Sequence, residues 1–545
     1  MFWGTISHSY KRLTFPHCTN DIDGGIRWNK LSKLVEPNSD INQAPHIGHL
    51  YTAVLSDAIA RWHRFRGHEV LFATGTDEHG QKIQVAANNA KKSPAEYTSE
   101  NSKLFKEAFK AGNVDFDDFI RTTEARHISA VEQLWRTLDK KGFLYKAVYK
   151  GWYSTLDEMF VPENNVKEIK IENNNSVKIC VDTGNEVNWM EEVNYMFALS
   201  RLKPELTELL NTQFVQPAVW QPLARSFLHN LPDLSVSRRR DRLPWGIAVP
   251  NDDTQTIYVW LDALVNYLTV TGYPDMHNSW PPNCHVVGKE ILKFHAVFWP
   301  AFLLAANMKL PHQILCHAHW TVDGHKMSKS KGNVVDPMLL MSKYTPDALR
   351  YFLLREGVPH SDNNFSEQKM VECVNSEIVN TLGNLLSRCT SLSINPNQIF
   401  PALNKATLKA SFSSEAQHSF YQLQELPDNV ELNYSRFSIY KTLEQISATL
   451  RWANGLMEEH KPWQLVKHCD QKDHLNTLLH ITLETLRVCA LLLSPVIPEL
   501  SGKLLNRLGV SPKNQTWNDI RSQQQTDQPL GNDSSVLLKR IKFQH

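Results

Sequence analysis

Between Ile47 and Arg66, Leu50, Tyr51, Val54, Ala58, Ile59, Trp62 and Phe65 recur at helical spacing, and Gly67 follows where a carboxyl-terminal cap belongs. This predicts a helix. The next apolar run, Val70-Leu71-Phe72-Ala73 within residues 68–75, predicts a strand that ends in the polar stretch Thr76-Asp77-Glu78-His79-Gly80. Polar groups gathered just beyond a strand's carboxyl end are where doubly wound sheets hold ligands. From about 145 to 202 the pattern breaks into short strand-like pieces around an asparagine-rich, charged stretch at 164–175, as an insertion would. Alternation returns at Thr256-Ile257-Tyr258-Val259-Trp260, and a strand at 284–287 precedes Gly288-Lys289-Glu290 and an apolar helix. After Phe365 the chain turns helical: Val371, Val374, Ile378, Leu382, Leu385 and Cys389 step by three and four. A polar connection at 391–431 separates this stripe from the next, Phe437, Tyr440, Leu443, Ile446, Leu450 and Ala453, and Pro495 and Pro498 punctuate the last helical segment.

The fold expected is α/β: a Rossmann-like, doubly wound parallel sheet split by an insertion and followed by an all-α helical bundle. A length of 545 residues suits three or four domains. Hydrophobic content of 42% and charged content of 21% favour neither disorder nor a membrane protein. The longest apolar stretch, 294–308, contains His295 and Pro300 and reads as a buried helix, too short to span a bilayer. Basic and acidic residues, 58 and 57, nearly cancel, so a nucleic-acid partner would need a local basic stripe. The eight cysteines show no C-x-x-C pair, which argues against a disulfide framework. Before Asp21 there is no acid, and Lys11, Arg12 and several hydroxyl residues fit either an organelle transit peptide or an ordinary disordered start.

Two motifs carry the chemistry. In Pro45-His46-Ile47-Gly48-His49 the histidines are three apart, so at the first turn of a helix both rings reach one ligand. A helix amino terminus suits a triphosphate, and Gly48 permits close approach of a nucleotide. Alone, the pair reads equally as half a metal site or as surface histidines. About half the chain length further on, Lys326-Met327-Ser328-Lys329-Ser330 lies between Gly324 and Gly332. Movable lysines on a glycine-flanked loop can follow the charge that develops when a carboxylate attacks an α-phosphate.

Together these motifs resemble those of class I aminoacyl-tRNA synthetases. The blocks Thr74-Gly75-Thr76-Asp77-Glu78-His79-Gly80, Val259-Trp260-Leu261-Asp262-Ala263-Leu264 and Phe294-His295-Ala296-Val297-Phe298-Trp299-Pro300 resemble the methionyl-tRNA synthetases in particular. The likeness runs from about residue 42 to 542. It implies ligation of L-methionine to tRNA(Met) through an adenylate, with His46, His49, Lys326 and Lys329 catalytic. Gly48, Gly288, Lys289, Glu290, Met327, Ser328 and Ser330 would bind ATP, and magnesium would accompany it. Asp77 would hold the substrate ammonium, while Trp260, Tyr267, Ile291 and His295 line a thioether pocket, where sulfur meets aromatic faces favourably. Arg238 would stand at the rim. Asn384, Arg388 and Trp463 would read the anticodon by hydrogen bonding and stacking. The domains implied are an atypical segment at 1–41, sheet halves at 42–144 and 216–335 around an insertion at 145–215, a stem-contact linker at 336–370 and an anticodon-binding bundle at 371–545.

Two features depart from the family. Bacterial relatives often carry a zinc knuckle in the insertion, but here 145–230 holds only Cys180 and His229, so no structural zinc and no metal-ligating side chain is expected. This resembles the compact mitochondrial type, which implies a monomer of the mitochondrial matrix, or otherwise of the cytoplasm, with no membrane partner. The family also begins with an apolar strand and a tyrosine, where this chain has Glu36-Pro37-Asn38-Ser39-Asp40. Counting back from His46 puts the tyrosine at Asp40 and an aliphatic pocket residue at Asn38. Proline and Asx residues read as a turn rather than a buried central strand. Two explanations stand: an altered amino-terminal segment on a normal body, which is favoured, or a genuine variant with a remodelled pocket. The first predicts weak methionine activation, and it leaves open a tRNA-binding pseudoenzyme.

Overall fold

Seven strands form the central sheet: β1 (Leu31–Val35), β2 (Ser39–Asp40), β3 (Glu69–Asp77), β4 (Asp118–Arg121), β5 (Val215–Gln216), β6 (Cys284–Gly288) and β7 (Ile314–His317). The computed structural model describes residues 31–35, 39–40, 44–154, 159–161, 163–170, 176–181, 183–275, 280–327, 332–522 and 526–543. The strand order is β5-β7-β6-β1-β3-β2, with β4 also paired to β3, and every pairing is parallel. All the carboxyl ends therefore point to one edge of the sheet. The chain reaches that edge at Asp77, at Gly288 and just before His46, and the order reverses at β1, the position where open α/β sheets bind ligands.

β1 corrects the expectation that the first strand is missing. It lies in the middle of the sheet, with Leu31 to Val35 opposite Glu69 to Ala73 on one side and Leu34 and Val35 opposite Cys284 and His285 on the other. The strand stands before the Glu36-Pro37 turn signal, and Ser32 and Lys33 break the apolar run that would have marked it. Ser39 and Asp40 add a short second strand opposite Thr76 and Asp77. Asn38 is outside the described residues.

Helix α1 (Ile47–Phe65) follows, as its periodicity predicts, and Gly67 takes φ +83°, a left-handed conformation suited to glycine. Its buried face, with Leu50, Val54, Ile59 and Trp62, belongs to a core that continues into the helical region, and each such side chain contributes about 1.5–3 kcal/mol. Trp62 stacks on Tyr434, with ring centroids 4.2 Å apart. Helix α2 (Ala125–Lys140) packs in a second core with α3 (Val259–Leu264) and the apolar segment 294–306. The expected alternation through Trp260 is not a strand. The preceding strand, Asp252–Ile257, ends before Tyr258, and Val259 opens α3.

The insertion forms its own antiparallel sheet, in which Leu144–Ser154 pairs with Asn188–Phe197. Cys180 there packs with Val161 and Val187. Downstream come α4 (Pro346–Glu356), α5 (Asn384–Thr390), α6 (Ile439–His460) and α7 (Lys472–Leu493). α7 is apolar and long enough to cross a membrane, yet 94% of its most apolar window is buried inside the protein, so it serves as the core of the bundle.

Candidate active site

His46 is the amino-terminal cap of α1, with extended backbone (φ −129°, ψ 172°). Its Nδ1 accepts the Gly48 N–H at 3.1 Å, and its own N–H donates to His49 Nδ1 at 3.2 Å. Two histidines thus build a reciprocal capping box, a role usually filled by Ser or Thr with Glu or Gln. The sequence places both rings on the first helical turn, whereas His46 is the cap itself. Because each Nδ1 is an acceptor, the neutral rings carry their protons on Nε2. The rings stack at 3.8 Å with 18° between planes. Burial, then the nearby Lys326 charge, lowers the His46 pKa to about 4, and burial and His46 hold His49 well below the ordinary histidine value. At neutral pH the pair offers N–H donors rather than bare cations.

The second motif meets the first at Gly48. A Cβ there would stand 2.9 Å from His46 Cε1, so glycine makes room for the capping ring, and 3.5 Å from the Met327 methyl group, which places the second motif in contact with the first. The Ile47 N–H donates to the Val335 carbonyl at 3.1 Å, which ties the first motif to the segment that follows the second. Lys326 is exposed at the end of a hairpin, and Met327 is buried. Gly324 and Gly332 take φ +73° and +65°. Ser328, Lys329 and Ser330 lie outside the described residues.

At the end of β6 a Cβ on Gly288 would clash with the Glu290 carboxylate at 2.6 Å. Lys289 Nζ pairs with Asp362 at 2.6 Å, and Glu290 pairs with His319. Crowding by protein opposes the charge on Glu290, but His319 and Lys326 override it and hold the carboxyl well below its usual range.

Beyond Asp77 the chain is bolted down. Glu78 is fully buried and accepts from Arg121 Nε and Nη2 (2.7 and 3.0 Å), Thr123 (2.6 Å) and Thr76 (2.8 Å). Trp245 Nε1 donates to the Glu78 carbonyl at 2.6 Å. Trp260 stacks on Phe294 at 3.5 Å with 9° between planes. Tyr267 hydroxyl and His295 Nε2 are 2.6 Å apart, and His295 Nδ1 lies 2.9 Å from the Ile291 carbonyl. The carbonyl can only accept, so Nδ1 carries the proton and Tyr267 donates to Nε2. Burial lowers the His295 pKa to about 4. The wall is therefore aromatic, uncharged and fixed in tautomer.

Arg238 is not at a rim. It is buried, bonded to Ser235 Oγ (3.0 Å) and the Ser237 carbonyl (2.7 Å), with its guanidinium 4.5 Å from the Tyr258 ring and 5.2 Å from Phe160. It ties the insertion, through Phe160, to the turn at Tyr258 that opens α3. At the far end of the chain, Arg388 on α5 lies 5.6 Å over the Trp463 ring and pairs with Glu458. Asn384, one turn earlier on the same helix, is exposed, as is Trp463 at 37%. Arg388 and Trp463, 75 residues apart in the sequence, thus meet on the bundle surface, with Asn384 one turn from Arg388.

The family model described as tRNA synthetases class I (M) matches residues 37–390. The chain belongs to this family. Its relatives include the mitochondrial methionine–tRNA ligase of Takifugu rubripes, 43% identical over 537 residues, covering 95% of this chain and 90% of that protein. The human mitochondrial methionine–tRNA ligase is 46% identical over 498 residues, covering 88% and 84%. Among solved structures, Mycobacterium tuberculosis methionyl-tRNA synthetase in complex with methionyl-adenylate superposes with TM-score 0.89 at 35% identity, over 94% of this chain and 100% of that one. The part of this synthetase left outside the Takifugu match is shorter than residues 1–41, so the likeness extends into the segment expected to lack it.

The buried neutral histidines of the synthetase make its stability depend on pH. The folded-state pKa values of His46 and His295, about 4, lie below the ordinary 6.5, so between those limits the unfolded chain binds more protons and stability falls as the pH falls. Asp347, raised to about 6 chiefly by burial, acts in the opposite sense but is one group against several. The melting temperature should drop steadily from pH 6.5 toward pH 4 in a series of thermal scans. A flat profile over that window would contradict the neutral assignment.

Proposed function

We propose that this chain activates L-methionine with MgATP and transfers it to tRNA(Met), as a monomer serving organellar protein synthesis. The observation that carries this reading is the juxtaposition at Gly48 and Met327, where a histidine-capped helix meets the lysine motif. A methionine carboxylate oxygen attacks the α-phosphorus of ATP, forming one P–O bond as the bond to the bridging oxygen breaks and pyrophosphate leaves. The His46 and His49 Nε2–H groups donate to phosphate oxygens as charge builds, and Lys326 and Lys329 follow the leaving pyrophosphate. Positioning and electrostatics suffice, with no general base. Asp77 holds the ammonium, while Trp260, Tyr267, Ile291 and His295 enclose the thioether. Gly288, Lys289 and Glu290 receive the nucleotide together with Ser328 and Ser330. A hydroxyl of the tRNA's terminal ribose then attacks the adenylate carbonyl, and AMP leaves.

The mitochondrial relatives support an organellar role, and β1 supplies the first strand whose apparent loss suggested an impaired enzyme or a tRNA-binding pseudoenzyme. For the RNA end, a base stacked on Trp463 beside Arg388 and Asn384 accounts for their arrangement. Replacing Trp463 by alanine should raise the KM for tRNA(Met) in methionine charging by about tenfold or more, as loss of one base stack does. Methionine-dependent ATP–pyrophosphate exchange should be unchanged. Equal loss in both assays would contradict an anticodon role.

A further inference from the structure

One buried group has no part in the mechanism above. The Asp262 carboxylate on α3 is 1% exposed, and each oxygen is taken by a different imidazole: Oδ2 by His79 Nδ1 at 2.7 Å and Oδ1 by His127 Nε2 at 2.8 Å. His127, on α2, is fully buried and reaches Thr269 Oγ1 with its other nitrogen at 3.0 Å. Burial opposes ionisation of Asp262, yet the two imidazoles hold its pKa at about 2. An ionised carboxylate inside the protein is a poor way to gain stability, because well-packed apolar residues do as well or better. What such a network does provide, once fully satisfied, is a unique geometry.

The geometry it fixes is specific. His79 is two residues beyond Asp77, on the loop leaving β3, and Asp262 is two residues beyond Trp260, in the half of the catalytic domain that follows the insertion. Trp245 fastens the same loop from another side, through the Glu78 carbonyl at 2.6 Å and the Gly80 N–H at 3.3 Å. The Asp262–His79 bond ties the Asp77 loop directly, side chain to side chain, to the helix bearing Trp260. We propose that Asp262 is a positioning residue for amino-acid recognition: through His79 it sets the separation between the ammonium anchor at Asp77 and the aromatic wall that starts at Trp260. This rests on the roles proposed above for Asp77 and Trp260. The separation works as a ruler, since a fixed anchor-to-wall distance admits an unbranched side chain of one length.

The test is a double-mutant cycle in ATP–pyrophosphate exchange with the full chain. Asp262→Asn should raise the KM for methionine by about tenfold, with the KM for ATP within about twofold of the parent, because only the amino-acid side loses its alignment. In an Asp77→Asn background, where the anchor is already lost, Asp262→Asn should add little. Should Asp262→Asn fail to fold, His79→Asn, which cuts the same bond from the loop side, takes its place with the same expected pattern. Parallel loss for ATP and methionine, or full additivity with Asp77→Asn, would overturn the proposal. No effect of Asp77→Asn alone would instead overturn the anchor assignment, and the ruler with it.

Discussion

Replacing His46 by asparagine is expected to slow adenylate formation by about 10²–10³-fold, the cost of removing one preorganised donor from a transition state. Asparagine is among the best helix caps, so the Gly48 N–H keeps an acceptor and α1 keeps its start. The substitution therefore separates capping from catalysis. His49→Gln should lose a similar factor, since the His49 ring stacks on His46 and presents its own Nε2–H. Both changes should fall on kcat, with the KM for ATP little altered, because the donors act on charge that appears in the transition state. Rapid-quench measurement of adenylate formation reads this directly. Loss confined to the KM for ATP would mean that the histidines hold the nucleotide without stabilising the reaction.

Arg350→Ala should destabilise the protein by about 3 kcal/mol, since several buried carbonyls each lose a donor at about 1–3 kcal/mol before relaxation. Arg350 and Asp57 are both fully buried and meet at 2.6 Å. The guanidinium also donates to the carbonyls of Val496 (2.8 Å), Pro495 (3.0 Å), Gly112 (3.1 Å) and Asn113 (3.2 Å). Removing it takes a donor from the carbonyls of Val496, Pro495 and Gly112, while Asp57 keeps Arg61 Nε and the Asp115 N–H, both at 2.8 Å, and the Asn113 carbonyl keeps Arg61 Nη2 at 3.0 Å. The affected residues belong to α1, to the segment after 94–111, to α4 and to the turn after α7, so one side chain pins the catalytic helix to the helical bundle. Urea unfolding should show the lowered midpoint, and Arg350→Lys should recover only part of it, because an ammonium cannot reproduce a planar five-donor fork. A change within about 1 kcal/mol would show that water or a relaxed backbone replaces these bonds.

Much of this molecule was legible in its sequence, and the failures have physical causes. Periodicity gave α1 and β3, whose apolar faces are continuous, and the bundle stripes through Leu385 and Leu450. The first strand was misread because Ser32 and Lys33 interrupt its apolar run and Pro37 draws attention to the turn behind it. Trp260 was read into a strand because five residues of alternation fit a strand and the first turn of a helix equally well. His46 and His49 were recognisable as a ligand pair, but their capping bonds depend on rotamers that spacing does not determine. Arg238, Asp262, Phe294 and Arg350 gain their roles from partners distant in the chain, and nothing local to them signals those partners. The meeting of Arg388 with Trp463 was legible only through family resemblance.

The central claim is that this chain activates methionine. The most direct measurement is ATP–pyrophosphate exchange with the purified full chain, run separately with each of the twenty amino acids. The account predicts robust exchange with methionine and background levels with the rest, in the absence of tRNA. Exchange at background with methionine, or stronger exchange with another amino acid, would contradict it.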